Sequence, residues 1–301
     1  MIGLDSARVI RATSLADALR HLAASAADAV PLRPLAGCTD LLVDAHFGKP
    51  MSPVFLDLWP LRAELGGTRW TAAGLELGAL CTYADSLADA RLHRDTPVLA
   101  AGARLVGATQ IQARGTWAGN IENGSPAADG VPALLALDAN VRLASVAGVR
   151  EVPLDAYYAG YRRTVRRPDE LITAIVIPAA SLGRPGQWFR KVGTRAWQAI
   201  TKVGLAGRFG WHDGVLEDVR VVAVSMAATV RRCPAMERVL AGATLDSLDV
   251  TALAQAQRED VRPIGDVRSD ARYRAEVFQR LVLDALRQTA AAQAVHASAS
   301  R

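Results

Sequence analysis

The sequence predicts an α+β protein of two or three folding units, and three features of its 301 residues indicate this class. Strand and helix patterns alternate over roughly the first 60 residues. A glycine-rich, polar stretch then interrupts the pattern between Gly107 and Pro132. The last third has three strand patterns followed by three helix patterns, which is the order expected for an α+β layer. With 50% hydrophobic residues, a chain of this length can bury a substantial core.

The first unit begins with a strand around residues 9–10 and a helix after Ser14. A serine hydroxyl at this position can accept a backbone N–H, and apolar side chains then recur at helical spacing. This apolar face consists of Leu15, Ala18, Leu19 and Leu22. An extended run over residues 31–36, an apolar segment at 41–43 and a short strand at 54–58 complete a unit that we end near residue 60.

The second unit has a strand at residues 75–80, a helix after Thr82, and a helix that starts at Pro97, whose fixed φ suits a first turn. The glycine-rich stretch that follows predicts a long loop. Loops of that length inside a compact domain usually carry function. A helix at 133–138 and strands at 141–144 and 170–178 end this unit near residue 178.

The third unit follows a linker over residues 181–186. Its predicted strands cover 188–192, 200–209 and 215–228, and its helices cover 234–240, 251–258 and 269–288, with Ser269 as the cap of the last helix. Residues from Thr289 onward are rich in alanine, serine and glutamine, so we expect this end to fray. The resulting units are 1–60, 61–178, 179–290 and a flexible tail over 291–301.

Charge and cysteine content exclude several classes of function. The formal charge of +5 comes mainly from scattered arginines, and the cluster over residues 162–167 is interpreted as a solvated turn or docking edge, so we expect no nucleic acid partner. No apolar run approaches the roughly 20 residues of a membrane span, and the first residues lack a secretory signal, so we expect a cytoplasmic protein. Cys38, Cys81 and Cys233 are too far apart to hold a metal or an iron–sulfur cluster by themselves.

Two glycine-containing turns, at residues 36–40 and 116–120, are the candidate ligand-binding segments. Glycine lets the backbone approach a ligand closely, and the neighbouring threonine and asparagine side chains add hydrogen-bond donors, a combination that can cradle a pyrophosphate without a lysine. Two other interpretations stay open at this point. Gly37 could form a tight turn between a strand and a helix, and residues 115–129 could form a surface Ω-loop.

Several segments, in the same order along the chain, resemble the FAD-binding subunits of molybdopterin dehydrogenases. Residues 34–42 (PLAGCTDLL) resemble the family's A-G-G-T-D-L-L signature, and residues 110–129 resemble Q-I-R-N-x-G-T-I-G-G-N-I-x-N-x-S-P-x-x-D. Residues 157–164 are similar to the F-x-G-Y-R-K-T segment of xanthine dehydrogenases, and residues 189–193 to a F-x-K-V-G strand. Residues 266–286 resemble the family's D-x-R-x-S-x-x-Y-R terminus.

The resemblance implies a fold of the vanillyl-alcohol-oxidase (PCMH) type, in which two α+β subdomains hold FAD between them. It also implies a C-terminal α+β domain like that of CO dehydrogenase flavoprotein, which covers part of the flavin. The residues implied to contact FAD are Pro34, Leu35, Ala36, Gly37, Cys38, Thr39, Asp40, Leu41, Val106, Thr116, Trp117, Ala118, Gly119, Asn120, Asn123, Asp129, Ile172 and Lys191.

Within that set, Lys191 is the residue expected to tune electron transfer, because a cation beside the flavin would stabilise the anionic reduced ring. Lys191 could instead be an exposed strand lysine, and Asp129 could cap the helix that starts nearby. Arg195 and Trp197 lie in the loop where the resembled family admits its electron acceptor. No residue of the chain is expected to make or break substrate bonds.

The sequence departs from the family pattern at three positions. Cys38 replaces a glycine or asparagine, Ala118 replaces the first glycine of the G-G pair, and Trp117 replaces a small aliphatic residue. A Cβ at position 38 or 118 is tolerated where φ is negative, but it costs about 1 kcal/mol or more where the turn needs a positive φ. These departures could therefore weaken flavin binding.

The resemblance implies an oxidoreductase subunit that passes electrons from [2Fe-2S] clusters through FAD to NAD⁺ or another soluble acceptor. The clusters would belong to a small partner subunit and the molybdopterin cofactor to a large one, in a dimer of heterotrimers. Two alternatives stay open. The chain could be a self-sufficient flavin oxidase or reductase on the same fold, or a scaffolding subunit that has lost its flavin.

Overall fold

The computed structural model describes residues 7–28 and 32–299, so Pro31, at the start of the extended run expected over residues 31–36, lies outside the described residues. The strands are β1 (Arg8–Arg11), β2 (Leu32–Leu35), β3 (Val54–Asp57), β4 (Thr68–Thr71), β5 (Gly74–Gly78), β6 (Asn140–Ser145), β7 (Gly148–Pro153), β8 (Tyr158–Gly160), β9 (Arg163–Thr164), β10 (Leu171–Pro178), β11 (Gln187–Val192), β12 (Val203–His212), β13 (Val215–Val224) and β14 (Arg231–Arg232). The helices are α1 (Leu15–Ala27), α2 (Thr39–His46), α3 (Arg62–Leu65), α4 (Tyr83–Ala88), α5 (Ala90–Asp95), α6 (Pro97–Arg104), α7 (Thr109–Gln112), α8 (Trp117–Asn123), α9 (Val131–Ala136), α10 (Pro234–Leu240), α11 (Val250–Asp260) and α12 (Ala271–Ala299).

A three-stranded parallel sheet in the order β1-β3-β2 forms the first unit. Helix α1 begins as predicted, because the Ser14 hydroxyl accepts the Asp17 amide at 3.1 Å. The predicted apolar face is also confirmed, since Ala18, Leu19 and Leu22 are buried. Parallel strands in this unit bring the C-terminal ends of β2 and β3 to one edge, where the chain turns into α2.

The second unit contains an antiparallel sheet in the order β4-β5-β10-β6-β7, and α4, α5, α6, α8 and α9 contribute residues to its core cluster. The prediction of one long loop between Gly107 and Pro132 is wrong, because this stretch contains α7 and α8. Thr116 caps α8 by accepting the Gly119 amide at 3.0 Å, and Gly124 ends α8 in the left-handed region at φ 60°. The stretch thus alternates short helices with glycine turns.

The third unit is an antiparallel sheet in the order β11-β12-β13-β14, covered on both faces. Val203, Leu205 and Phe209 of β12 face α10, α11 and α12, whereas Ala206 joins the core of the second unit. Both faces of β12 are therefore buried, which explains its nearly continuous run of apolar and small residues. The sheet is fixed directly onto the preceding unit.

Helix α12 differs from its prediction at both ends. Its cap is Asp270, whose carboxylate accepts the Tyr273 amide at 2.7 Å, and Ser269 instead donates its own amide to Asp266. The helix also continues past Gln288 to Ala299. Thr289 explains part of this extension, because its hydroxyl is buried and bonds to Ala285 O and to the Trp211 indole. No helix within the described ranges is both long enough and apolar enough to cross a membrane.

Candidate flavin site

The two glycine-containing turns lie against each other. A Cβ built on Gly37 would come within 1.7 Å of the Arg114 carbonyl oxygen, which is backbone and cannot move aside as a flexible side chain would. Arg114 is itself held by stacking on the Trp59 ring, with its guanidinium 3.7 Å from the ring centroid. Gly37 therefore allows the loop between β2 and α2 to meet the loop before α8, and the missing Cβ serves this close approach.

Cys38 is the residue before α2, and it adopts φ 62° and ψ 7°. This left-handed conformation favours glycine and costs other residues about 1–2 kcal/mol. Ala118 lies inside α8 and is absent from the residues with positive φ, so its Cβ carries no such cost. Burial raises the pKa of the Cys38 thiol above its ordinary value, which keeps the sulfur protonated and unreactive.

The second turn is fixed by the start of α4. The Tyr83 amide donates to Gly115 O at 3.2 Å, and the Trp117 amide donates to Cys81 O at 3.3 Å. The Trp117 ring is fully buried, with its indole N–H donating to Ser86 Oγ at 3.1 Å. The tryptophan that replaces a small aliphatic residue thus fills the core behind the turn.

The turns enclose a cleft of two adjoining cavities, of about 440 and 360 Å³. The cavities share Ala36, Asp40 and Gly119 among their lining residues. Residues 198–200 of the third unit close one side of the first cavity. The residues predicted from the sequence that line the cleft are Pro34, Leu35, Ala36, Gly37, Cys38, Thr39, Asp40, Leu41, Val106, Thr116, Ala118, Gly119, Asn120, Asn123 and Ile172.

Three predicted residues line neither cavity: Trp117, Asp129 and Lys191. Lys191 Nζ donates to Asp129 Oδ2 at 2.5 Å and to Leu105 O at 3.2 Å, and Thr201 Oγ1 donates to Asp129 Oδ1 at 2.6 Å. Lys191 is therefore not an exposed strand lysine, since only 7% of its side chain is exposed. Nor does Asp129 cap α9, whose first turn has no side-chain cap. Burial raises the pKa of Asp129, while the Lys191 ammonium opposes that rise.

Sequence reasoning missed several residues on the cleft wall. Arg33, Arg162 and Arg166 line the second cavity, and Tyr83 lines the first. The arginines of the 162–167 cluster were expected to form a solvated turn or docking edge. The sequence could not predict this position, because it depends on β8 and β9 bringing the segment that carries these arginines next to α8. Arg166 donates to Glu122 Oε1 at 2.8 Å.

The residues present fit a dinucleotide that carries both charge and hydroxyl groups. Tyr83 Oη and Asn120 Oδ1 are buried on the wall of the first cavity and have no hydrogen-bond partner among the described residues. Such orphaned polar atoms are rare in native proteins and require a ligand or water as partner. Arg33 and Arg162 add positive charge that suits a pyrophosphate. Leu171 and Ile172 give the second cavity an apolar side.

Comparison with known proteins identifies the family. Residues 5–180 match the FAD binding domain in molybdopterin dehydrogenase, and residues 188–289 match the CO dehydrogenase flavoprotein C-terminal domain. The chain is 28% identical over 289 residues to the xanthine dehydrogenase FAD-binding subunit of Escherichia coli O157:H7, covering 96% of this chain and 97% of the relative. It is 30% identical over 274 residues to the carbon monoxide dehydrogenase medium chain of Afipia carboxidovorans, covering 89% and 91%.

A solved structure agrees with these matches. One chain of the carbon monoxide dehydrogenase from Hydrogenophaga pseudoflava, solved in a form lacking the Mo-pyranopterin moiety, superposes with a TM-score of 0.87 at 25% identity, covering 95% of this chain and 97% of that one. The expected fold is confirmed: a FAD-binding domain of two subdomains followed by the C-terminal α+β domain. The protein belongs to the family of FAD-binding subunits of molybdopterin dehydrogenases.

Proposed function

We propose that the chain is the electron-relay subunit of a molybdenum hydroxylase complex, taking electrons from [2Fe-2S] clusters and passing them through FAD to a soluble acceptor such as NAD⁺. One observation carries this proposal: two turns that are far apart in the sequence meet the loop over residues 198–200 around one cleft. The names of the relatives support it, since they are a FAD-binding subunit and a medium chain.

Within the cleft, we assign the dinucleotide backbone to the two turns. Residues 34–41 would follow the pyrophosphate and ribityl chain, and residues 116–119 would form the opposite wall. Arg33 and Arg162 would balance the phosphate charges, a role that guanidinium groups perform well because they donate several parallel hydrogen bonds. Val106 and Ile172 would supply apolar contacts.

Bound FAD accepts electrons singly and releases them as a pair, which suits a relay between one-electron clusters and NAD⁺. This chain's residues would orient the flavin and exclude water from it. Among the described residues there is no group of three or more metal-ligating side chains. We therefore assign the clusters to a small partner subunit and the molybdopterin cofactor to a large one, assembled as a dimer of heterotrimers.

The acceptor would approach through the third unit. A cavity of about 740 Å³ lies beyond residues 198–200 and shares Ile200 with the first cavity. Its wall carries both arginines and carboxylates, and Arg274 is already paired with Asp266 at 2.8 Å. Arg231 and Arg262 are therefore the cations that we assign to an anionic nucleotide. The side chain of Arg195 braces the intervening loop by donating to Trp197 O and Gln198 O at 3.0 and 2.7 Å. Trp197 is 62% exposed at the edge of this loop.

Purification from the native host tests the proposal. We expect the chain to co-purify with FAD, iron and molybdenum, and reduction of the complex by substrate should bleach the flavin before NAD⁺ reoxidises it. A yellow lone chain that turns over its own substrate would favour a self-sufficient oxidase. A colourless chain held in the complex would favour a scaffold, and either result would overturn the relay.

A further inference from the structure

The hydroxyl of Tyr83 is a buried polar group on the cleft wall without a protein partner. Tyr83 is 1% exposed and begins α4, directly after the Thr82 cap. Its ring packs on Trp117 with centroids 4.7 Å apart, and its edge lies against Gly115. The ring is thus held in place from both sides. Its oxygen has no hydrogen bond among the described residues.

The second buried oxygen without a hydrogen-bond partner is Asn120 Oδ1, and Asn120 lines the first cavity together with Tyr83. A Cβ built on Gly130 would lie 2.8 Å from Tyr83 Oη and 3.0 Å from Asn120 Oδ1. Both oxygens therefore converge beside Gly130, close enough for one bridging atom to reach both. That Cβ would also lie 3.1 Å from Tyr83 Cε1, so no residue larger than glycine fits beside the two side chains without displacing them.

The chemistry of the two oxygens defines their partner. An amide oxygen only accepts hydrogen bonds, so the missing atom must donate to Asn120. Burial, together with the nearby carboxylates of Asp40 and Asp129, raises the pKa of Tyr83 well above its ordinary value, so its hydroxyl stays a donor. An oxygen that accepts from Tyr83 while donating to Asn120 belongs either to an alcohol or to a water molecule, and of these only an alcohol is part of FAD.

We infer that Tyr83 is a further FAD-binding residue, and that its hydroxyl and the Asn120 amide oxygen together hold one alcohol hydroxyl of the cofactor. The inference rests on the proposed function, because it requires FAD in this cleft. FAD carries such hydroxyls on its ribityl chain and on its adenosine ribose. Apolar or purely accepting ligands would leave Asn120 Oδ1 unpaired, which disfavours binding.

The test compares full-length wild-type and Tyr83→Phe proteins, each stripped of flavin and titrated with FAD. Because the hydroxyl has no partner in the apoprotein, we expect the variant apoprotein to melt at the same temperature or higher. We expect its Kd for FAD to rise roughly tenfold, as for one lost hydrogen bond to a buried group. FAD analogues that lack single hydroxyls of the ribityl chain or of the ribose then identify the hydroxyl that Tyr83 binds. Wild type and variant should bind equally well to the analogue that lacks this hydroxyl.

Tyr157→Phe is the matched stability control. Tyr157 is equally buried, but its hydroxyl donates to Glu122 Oε2 at 2.7 Å, so this variant should lower the melting temperature of the apoprotein. A Tyr83→Phe apoprotein destabilised to the same extent would overturn the inference, as would an unchanged Kd or a penalty that persists with every deoxy analogue. If wild type itself binds no FAD, the proposed function also fails.

Discussion

Gly119 lies where the two cavities meet, and a Cβ there would touch only Thr116 Oγ1, at 2.9 Å. We expect Gly119→Leu to fill the cleft and abolish FAD binding while the fold persists, because leucine favours the helical conformation of α8. Flavin content and circular dichroism of the purified variant measure the two effects. Ala113→Leu, on the exposed side of the same segment, should keep its flavin. Normal FAD stoichiometry in Gly119→Leu would contradict our placement of the second turn.

Cys38 carries a conformational cost that glycine would remove. We expect Cys38→Gly to stabilise the apoprotein by roughly 0.5–1 kcal/mol, which is the strain at φ 62° less the greater freedom of glycine in the unfolded chain. FAD affinity should not fall. Ala118→Gly gives the opposite sign, a loss of roughly 0.5–1 kcal/mol, because Ala118 is helical. Urea denaturation of both apoproteins measures the difference. Destabilisation by Cys38→Gly would show that its side chain matters more than its φ.

Lys191 lines neither cavity, and Asp129 balances its charge at 2.5 Å, so we propose that its effect on a bound flavin would be electrostatic. We expect Lys191→Met to retain FAD and to lower its reduction potential by roughly 30 mV, equivalent to about 1.4 kcal/mol for two electrons. Asp129→Asn should raise the potential, because it leaves the ammonium unbalanced. Spectroelectrochemical titration of the bound flavin measures both shifts. An unchanged potential in Lys191→Met would remove this lysine from electron transfer.

At the residue scale, local sequence identified the cleft but misassigned some reasons. Gly37 lines the first cavity, and its missing Cβ also makes room for the carbonyl oxygen of Arg114. Arg114 lies 77 positions away in the sequence, so no local pattern reveals this second reason for the glycine. The inferred role of Tyr83 in FAD binding could not be predicted from the sequence either, because a tyrosine that follows a helix cap is usually a core residue. Trp117 was carried over as a cofactor contact from its position in the motif, whereas its side chain packs against Ser86 and Tyr83.

At the scale of elements, hydrophobic periodicity predicted α1, β3, α10 and most of β11 to β13. The short helices α7 and α8 escaped prediction, because four to seven residues between glycines hold too few turns for a pattern to emerge. The edge strands β4 and β7 escaped for another reason. Each lies at an edge of the sheet and has no fully buried side chain, so its sequence lacks the apolar residues that mark the central strands.

Glu170, the residue before β10, connects β7 to the loop that precedes β10. Its carboxylate, 1% exposed, accepts Arg150 Nε at 2.6 Å and the Arg167 amide at 2.7 Å. Burial alone would raise the pKa of Glu170, but these hydrogen bonds and the arginine charges lower it to about 2. The ionised carboxylate therefore stabilises the fold fully above its unfolded pKa, near 4.5, and that stability is lost as pH falls toward 2.

We expect Glu170→Gln to lower the free energy of unfolding by about 3 kcal/mol at pH 7. The difference in free energy of unfolding between wild type and variant should decrease from about pH 4.5 to pH 2, because the wild-type carboxylate takes up a proton over this range. Denaturant titrations at a series of pH values measure this. Glu151→Gln, which removes a carboxylate 42% exposed, should cost under about 1 kcal/mol. A gap for Glu170→Gln that stays constant with pH would exclude this linkage.

At the scale of the whole molecule, Asp138 joins the second unit to the third. Asp138 lies between α9 and β6 and has a positive φ of 53°. Its carboxylate accepts hydrogen bonds from Arg208, Arg220 and Arg232 at 3.1, 2.8 and 3.2 Å. Burial acts against ionisation, yet these arginines hold the pKa of Asp138 below its ordinary value. Only 4% of the Arg208 side chain is exposed, so its charge depends on protein partners.

Asp138→Asn keeps a residue that tolerates positive φ but removes the charge shared by three arginines. We expect a loss of about 1–3 kcal/mol, because the hydrogen bonds to Asp138 weaken while Arg208 and Arg232 keep Asp218 and Glu237 as partners. We also expect apoprotein unfolding to split into two transitions as the third unit separates. Calorimetry measures both effects. The matched control is Asp213→Asn, since Asp213 has φ 48° but is 93% exposed in a turn, and it should melt as wild type does. A single unfolding transition at the wild-type temperature in Asp138→Asn would contradict this prediction. It would mean that the apolar packing of β12 and β13 on α9 is sufficient to couple the two units. It would also mean that Asp218 and Glu237 compensate the charges of the arginines in the third unit.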